Sequence, residues 1–512
     1  MCSWGEREQQ RFFENKVSPY YAMVDLLFEQ QKAGEALGYV EAAKARVLLD
    51  VLQSGRVNIT KAMSPREQEQ ERSLKGELVS LNTQTARESA RTKPDEPRLS
   101  SLNTRLRQAR MNYEAFQTNL YAAHPELKTQ RGEAQPVTPE QAGDLLAGGG
   151  SALLDYLVGG DKTYLLVFTK NGPQAKVDLR AYEIKVGQKE LAALTENFRN
   201  LLAQRNPDFS EPARQLYDLL LRPARQQLEG KTDLVIVPDG PLWNLPFQAL
   251  QPTAARYVIE DQAVAYTPSL TVLREMVKLR KRGGDRKSPA PTLLAFGNPA
   301  LGRQAGGRAG LVTRDERLAP LPEAEREVKA LEQLYGASHS KVYVGAEARE
   351  ERVKSEAGRY RIIHLATHGI LDDASPMYSH LLLSQAAGET AEDGLLEAWE
   401  LMNLNLRADL VVLSACDTAR GRVGAGEGMI GLSWALFVAG TPTTVVSQWK
   451  VASSSTAQLM VEFHRQLKSE LRLSSKPSEA EALRRAVVGL QRDERYRHPF
   501  YWAGFVVVGV GF

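Results

Sequence analysis

The sequence predicts an α/β fold, a mostly parallel sheet flanked by helices with an α-helical region ahead of it. Three observations predict it. In the last third, the apolar runs TLLAFGNP (292–299), RIIHLATHG (361–369), ADLVVLSAC (408–416) and TTVVSQW (443–449) alternate with helical patterns near 322–335, 346–356, 394–402, 427–439 and 453–470. Near-continuous apolar strands separated by helices are the pattern of a parallel sheet covered on both faces. Nearer the start, apolar residues recur every three to four positions, as on helices. Between the two regimes lies PVTPEQAGDLLAGGGS (136–151), which reads as a linker or boundary.

Residues 19–52 read as two helices, with Leu37, Val40, Ala43, Val47, Leu48 and Val51 on one apolar face. Leu74, Leu78 and Leu81 continue the helical spacing up to TKPDEP (92–97), and Leu99, Leu102, Leu106, Tyr113, Phe116 and Leu120 line the helix after it. The two prolines make this pair a helical hairpin. Such amphipathic stripes are usually packing surface. Next, ALLDYLV (152–158), TYLLVFT (163–169) and QAKVDL, closing at Leu179, suggest a meander. Helices at about 187–204 and 211–228 then lead into TDLVIVPD (232–239), VIEDQAVAYTP (258–268) and a helix to about 281. In VPDGPLWNLPFQAL (237–250), Pro-Asp-Gly-Pro is a turn signal, and Trp243, Leu245 and Phe247 alternate like a half-buried strand.

A chain of 512 residues exceeds one hydrophobic core, so about two to four domains are expected. A formal charge of +3 points to no partner, and KLRKR (278–282) is a solvated helix end rather than a nucleic-acid contact. MCSWGEREQQRFFENK has no apolar centre for a secretory signal, and no run approaches the roughly 18 apolar residues of a membrane helix. Two cysteines, Cys2 and Cys416, form no disulfide framework or zinc pattern, and a reducing cytoplasm is expected.

Ligands of open α/β sheets bind beyond the carboxyl ends of the strands, which directs attention to where these strands stop. One ends at His368-Gly369 and another at Cys416-Asp417, and in a parallel sheet both emerge on the same edge. An imidazole beside a thiol is the minimum for a cysteine nucleophile, because the thiolate attacks and the imidazolium then protonates the leaving amine. The offset in residue number is 416 − 368 = 48. In caspases the His precedes the Cys by about 50, in this order. Gly369 lets backbone approach a substrate, so its N–H and that of Cys416 suit an oxyanion hole.

A lone strand cysteine is more often packing, and so is a lone strand histidine. Their joint placement favours catalysis. His364 and His368 form H-x-x-x-H, but on a strand they stand roughly 13 Å apart at 3.3 Å per residue, so no metal is expected and His364 reads as packed. GRVGAGEG (421–428) opens a helix but places Glu427 where a phosphate loop needs Lys. Ser414 and Ser447 lack the G-x-S-x-G setting of a serine nucleophile.

HLATHG with LSACDTARG resembles the CHAT peptidases, caspase-like proteins related to separases and often found behind tetratricopeptide repeats. LVIVPDGPLWNLPFQAL, YVIEDQAVAYTPSLTVL, GNPALG, LPEAEREVKAL, GEGMIGLSWALFVAGTPTTVVSQWKV and FYWAGFVVVG agree in order, over about residues 150–512. The resemblance implies a caspase-like catalytic subdomain at 286–512, a non-catalytic one at 152–285, and a TPR-like and hairpin region at 1–135. It implies His368 as general acid/base, Cys416 as nucleophile and Gly369 in the oxyanion hole. Relatives that accept a basic residue before the scissile bond make Asp417, Asp372 and Asp373 pocket candidates, and Gln448 and Trp449 at the next strand end are candidates to line the cleft. The expected protein is a cysteine endopeptidase without cofactor, acting on a protein substrate and regulated by a protein partner at its N-terminal helices. The alternative is the same fold as a binding scaffold with an idle thiol.

Overall fold

The computed structural model describes residues 19–44, 63–89, 91, 94–123, 135–146, 148–172, 174–254, 256–284, 292–301, 319–372, 376–385, 392–415, 422–424, 428–449, 452–473 and 478–512. The N-terminal part is helical: α1 (19–29), α2 (Ala33–Ala42), and a hairpin of α3 (Pro65–Ser89) and α4 (Glu96–Ala123). The hairpin closes over Leu78, Leu81, Leu102, Ala109, Tyr113, Phe116 and Leu120, a small core separate from the main one. The linker stretch instead carries a helix, α5 (Pro139–Leu145). Its Thr138 side chain caps it reciprocally with Gln141, and Ala142, Gly143 and Leu145 are buried.

The meander is present as β1 (Ser151–Val158), β2 (Thr163–Thr169) and β3 (Asp178–Ile184). The third strand starts where QAKVDL was expected to close. After it come α6 (Gln188–Ala203), α7 (Ser210–Leu220), β4 (Asp233–Val237), β5 (Ala263–Tyr266) and α8 (Leu270–Gly284). In α6, Leu191, Thr195, Phe198 and Leu202 make the buried stripe. The last third holds β6 (Leu293–Pro299), α9 (Pro322–Tyr335), β7 (Ser340–Gly345), α10 (Glu350–Glu356) and β8 (Ile362–Ala366). Next are β9 (Gly369–Ile370), β10 (His380–Leu382), β11 (Leu395–Glu397), α11 (Ala398–Met402) and β12 (Leu410–Leu413). Then follow β13 (Arg422–Gly424), β14 (Gly428–Ile430), α12 (Leu432–Ala439), β15 (Thr443–Ser447), α13 (Ser453–Leu473), α14 (Glu479–Leu490) and β16 (Phe505–Gly509).

One sheet of 11 strands, in the order β3-β2-β1-β4-β5-β16-β15-β12-β8-β6-β7, runs through the protein. β1, β4, β5 and β16 are parallel to one another, and so are β15, β12, β8, β6 and β7. The two sets meet antiparallel at β15–β16, so their carboxyl ends lie on opposite edges of the sheet. β1, β2, β8 and β12 are buried at every position, which explains their mostly apolar composition. No described helix is long and apolar enough to cross a membrane.

Trp243, Leu245 and Phe247 are buried, but Trp243 and Phe247 belong to two 3₁₀ turns (Gly240–Asn244 and Phe247–Ala249) and Leu245 lies between them, so none is on a strand. These turns lie over the seam: Gln248 Nε2 donates to the Ala503 carbonyl at 2.7 Å, and Gln448 Nε2 donates to the Trp243 carbonyl at 3.1 Å. The glycine-rich stretch does not open a helix. β13 and β14 pair as a hairpin around it, and α12 begins at Leu432; Gly421 and Glu427 lie outside the described residues.

α1 and α2 are bound to this sheet by buried polar contacts. Glu41 accepts from the Leu270 and Thr271 N–H groups at 2.9 and 2.7 Å, capping the start of α8. Lys44 Nζ lies 2.5 Å from Asp155 Oδ1, with both side chains at 2% exposure or less. Burial pushes the Asp155 carboxyl up to about 7, against the pull of Lys44. Breaking a buried pair costs more than replacing it whole. We expect Lys44→Ala to lower stability by about 3 kcal/mol, and Lys44→Met with Asp155→Leu to recover most of it. Urea midpoints test this; equal losses in the single and double variants would show that the pair does not act as a unit.

Candidate active site

β8 and β12 are neighbours and parallel, with Leu410 opposite Ile362 and Leu413 opposite Leu365. Each pair has the same offset in residue number as His368 and Cys416 (413 − 365 = 416 − 368). The ladder runs one step further, where the Ser414 N–H donates to the Leu365 carbonyl at 2.9 Å. The Ser447 hydroxyl at the end of β15 donates to the Ala415 carbonyl at 2.5 Å, tying the residue before the cysteine to the next strand. Cys416, Asp417 and Asp373 lie outside the described residues.

His368 is half-buried, two residues past the end of β8. Its Nε2 stands 2.9 Å from the Ala319 carbonyl. A carbonyl only accepts, so Nε2 carries the proton and Nδ1 is the basic nitrogen of the neutral ring. The Leu382 N–H donates to the His368 carbonyl at 2.9 Å, and Gly369 faces Leu381 in the next pair. Antiparallel alternation makes that a non-hydrogen-bonded pair, so the Gly369 N–H points away from β10. The Thr367 hydroxyl bonds the Leu382 carbonyl and fixes the turn between them.

Asp372 lies in this region too, but it pairs with Arg110 of α4 at 3.5 Å. Gln448 and Trp449 follow β15 and are buried, with the Trp449 indole donating to the Phe500 carbonyl at 3.2 Å. Ser414 and Ser447 are buried as well, which suits neither as an exposed nucleophile.

Sequence reasoning missed a polar chain behind the strand ends. Glu327 Oε1 lies 2.6 Å from His364 Nε2, His364 Nδ1 lies 3.1 Å from His464 Nε2, and His464 Nδ1 lies 3.1 Å from the Tyr335 hydroxyl. Burial pushes Glu327 up to about 8, partly opposed by the Ser414 hydroxyl, and pushes His364 down to about 3. Burial and the neighbouring His364 hold His464 well below its usual range. The consistent arrangement is neutral: Glu327 donates to His364, His364 to His464 and His464 to Tyr335. His364 is therefore packed, as expected, but its partners come from α9 and α13. The Ala319 carbonyl carried no sequence signal, since any residue supplies one.

The CHAT domain family profile matches residues 210–510. The chain is 27% identical to human tetratricopeptide repeat protein 28 over 356 residues, covering 62% of this chain and 14% of that protein. The mouse protein of the same name is 27% identical over 338 residues, covering 58% of this chain and 13% of that one. This chain thus spans about one seventh of the curated relatives it matches. Among solved structures, the Saccharomyces cerevisiae separase–securin complex aligns with TM-score 0.47 and 11% identity, over 98% of this chain and 41% of that one. The Arg-specific cysteine proteinase gingipain R aligns with TM-score 0.37 and 11% identity, over 63% and 74%. The family match covers more than half of the 512 residues, and the chain belongs to the CHAT domain family.

Proposed function

We propose that the protein is a cysteine endopeptidase with His368 and Cys416 as its dyad and a protein as its substrate. The observation that carries this reading is the β8–β12 register, whose offset equals the His–Cys separation. β8 and β12 end side by side on one edge of the sheet, and in sequence His368 and Cys416 each follow three residues after the paired Leu365 and Leu413.

In the reaction, His368 Nδ1 takes the Cys416 thiol proton and the thiolate attacks a peptide carbonyl, forming a C–S bond. The oxyanion accepts from the Gly369 N–H, which points away from β10, and from the Cys416 N–H. The C–N bond breaks as the imidazolium protonates the leaving amine. Water, deprotonated by His368, then splits the thioester, returning the thiol and releasing the acid. The bond to the Ala319 carbonyl holds the imidazole in the tautomer this sequence needs. The N-terminal helices, joined to the sheet through Glu41 and Lys44, are where a partner would act on the enzyme.

The test is to treat cell extract with the protein and with its Cys416→Ala variant, then sequence the new N-termini. Termini found only with the intact thiol support the reading. Their absence in the presence of extract partners, together with no labelling of Cys416 by an electrophilic peptide probe, leaves a scaffold instead.

A further inference from the structure

Past His368 the chain enters a three-stranded sheet in which Ile370, His380 and Glu397 form one row. α4 covers that row with Arg110. The Arg110 guanidinium carbon stands 4.1 Å from the Tyr378 ring centroid, and its nitrogens lie 3.5 Å from Asp372 Oδ2 and 3.6 Å from Glu397 Oε1. These distances are long beside the roughly 2.8 Å of a charge-assisted hydrogen bond.

Two buried atoms in the site are left over. Among the described residues, Glu397 Oε1 and His380 Nε2 have no hydrogen-bond partner, although Glu397 is 3% and His380 8% exposed. His380 Nδ1 lies 2.8 Å from the Tyr378 carbonyl, so Nδ1 donates and Nε2 offers a lone pair. Among the described residues the site presents an aromatic face, two acceptors in the Asp372 carboxyl and His380 Nε2, and Glu397 Oε1, whose carboxyl burial pushes up to about 8 while the Arg110 cation draws it down, so that a guanidinium beside it favours its accepting form. A planar cation with five N–H donors matches that set, whereas an ammonium has neither the plane nor the fork.

We propose that Asp372, Tyr378, His380 and Glu397 form a guanidinium-binding site, closed in cis by Arg110 and opened to a protein partner's arginine when the α3–α4 hairpin lifts. The seating of the hairpin is suited to release. Its apolar core is its own, and among the described residues the hydrophobic side chain of the α/β body packed against it is Trp399. Among the described residues its contacts with the α/β body include, besides Arg110, the Tyr113–Trp399 ring contact at 5.3 Å, Lys75 over Trp399 at 5.6 Å, and Asn82 to Asp393 at 3.0 Å. Small, polar docking surfaces open locally at far lower cost than global unfolding. A partner that inserts an arginine would both displace the hairpin and complete the two unused acceptors. Asp372 and Gly369 belong to one segment, so the exchange would act beside His368.

The experiment uses the full chain, with N-acetyl-arginine amide as probe and N-acetyl-lysine amide as control, followed by titration calorimetry. Arg110→Ala should bind the arginine probe roughly tenfold more tightly than wild type, because wild type binds only in the fraction with Arg110 out. Adding Asp372→Asn should remove the gain, and the lysine probe should bind weakly throughout. In wild type, saturating arginine probe should speed amide exchange across 96–123, a readout that does not depend on any variant folding. No binding by a folded Arg110→Ala, equal binding of both probes, or unchanged exchange in wild type overturns the proposal. None of these readings requires turnover, so failure of the peptidase reading would leave them intact.

Discussion

Replacing His368 with Ala should lower the rate of substrate cleavage by about 10³-fold, and Cys416→Ala should reduce it to the uncatalysed background. The double variant should be no worse than Cys416→Ala, because the two side chains act on the same steps. The physical basis is the loss of proton transfer in one case and of the bond-forming atom in the other. Single-turnover assays on a substrate identified from new N-termini would measure this. A Cys416→Ala protein that still cleaves at more than a few per cent of the wild-type rate would remove the thiol from the mechanism.

Replacing Glu327 with Gln should change how stability depends on pH. In the folded protein the carboxyl is held up at about 8, against an ordinary value of 4.5. A carboxyl raised in this way keeps its proton in the folded state and loses it in the unfolded one. Its stabilisation is complete below 4.5 and disappears as pH rises through 8. His364 has the opposite sense: its folded value is lowered to about 3, so stability falls as pH drops from 6.5 toward that value. Between pH 5 and 8, wild type should therefore lose stability with a slope of up to about 1.4 kcal/mol per pH unit from Glu327. Glutamine cannot ionise, so Glu327→Gln should flatten that limb while the acid limb from His364 persists. Urea midpoints at pH 5, 6.5 and 8 would show it. Parallel curves for the two proteins would mean that Glu327 is already ionised in the fold.

Much of the architecture was legible because it rests on local pattern. The β8 and β12 runs are buried at every position and apolar but for His364, as strands covered on both faces require, and their ends mark where side chains emerge. The α3–α4 hairpin was legible for the same reason, from leucines spaced along one face and prolines between them. Other parts misled the reading because tertiary context overrode local alternation. Trp243, Leu245 and Phe247 alternate like a strand, yet they lie in and between two 3₁₀ turns, held at the β15–β16 seam by the Trp243 carbonyl and the Gln248 side chain. β7 went unread, since SKVYVG is an edge strand with partly exposed positions and a weak period.

The sequence by itself determined the strand ends that carry His368-Gly369 and Cys416, their order, and the spacing between them. Those follow from hydrophobic periodicity, which is written in neighbouring residues. Only the tertiary structure decided that this spacing equals the register of two adjacent strands, and that the Ala319 carbonyl sets the imidazole tautomer. It also decided that Arg110 would pair with Asp372, 262 residues later, and that His464, 100 residues after His364, would complete a buried polar chain. Contacts across such separations depend on how helices are laid onto the sheet. No local propensity encodes them, because each partner's own stretch of sequence is equally consistent with a solvated arginine or a packed histidine.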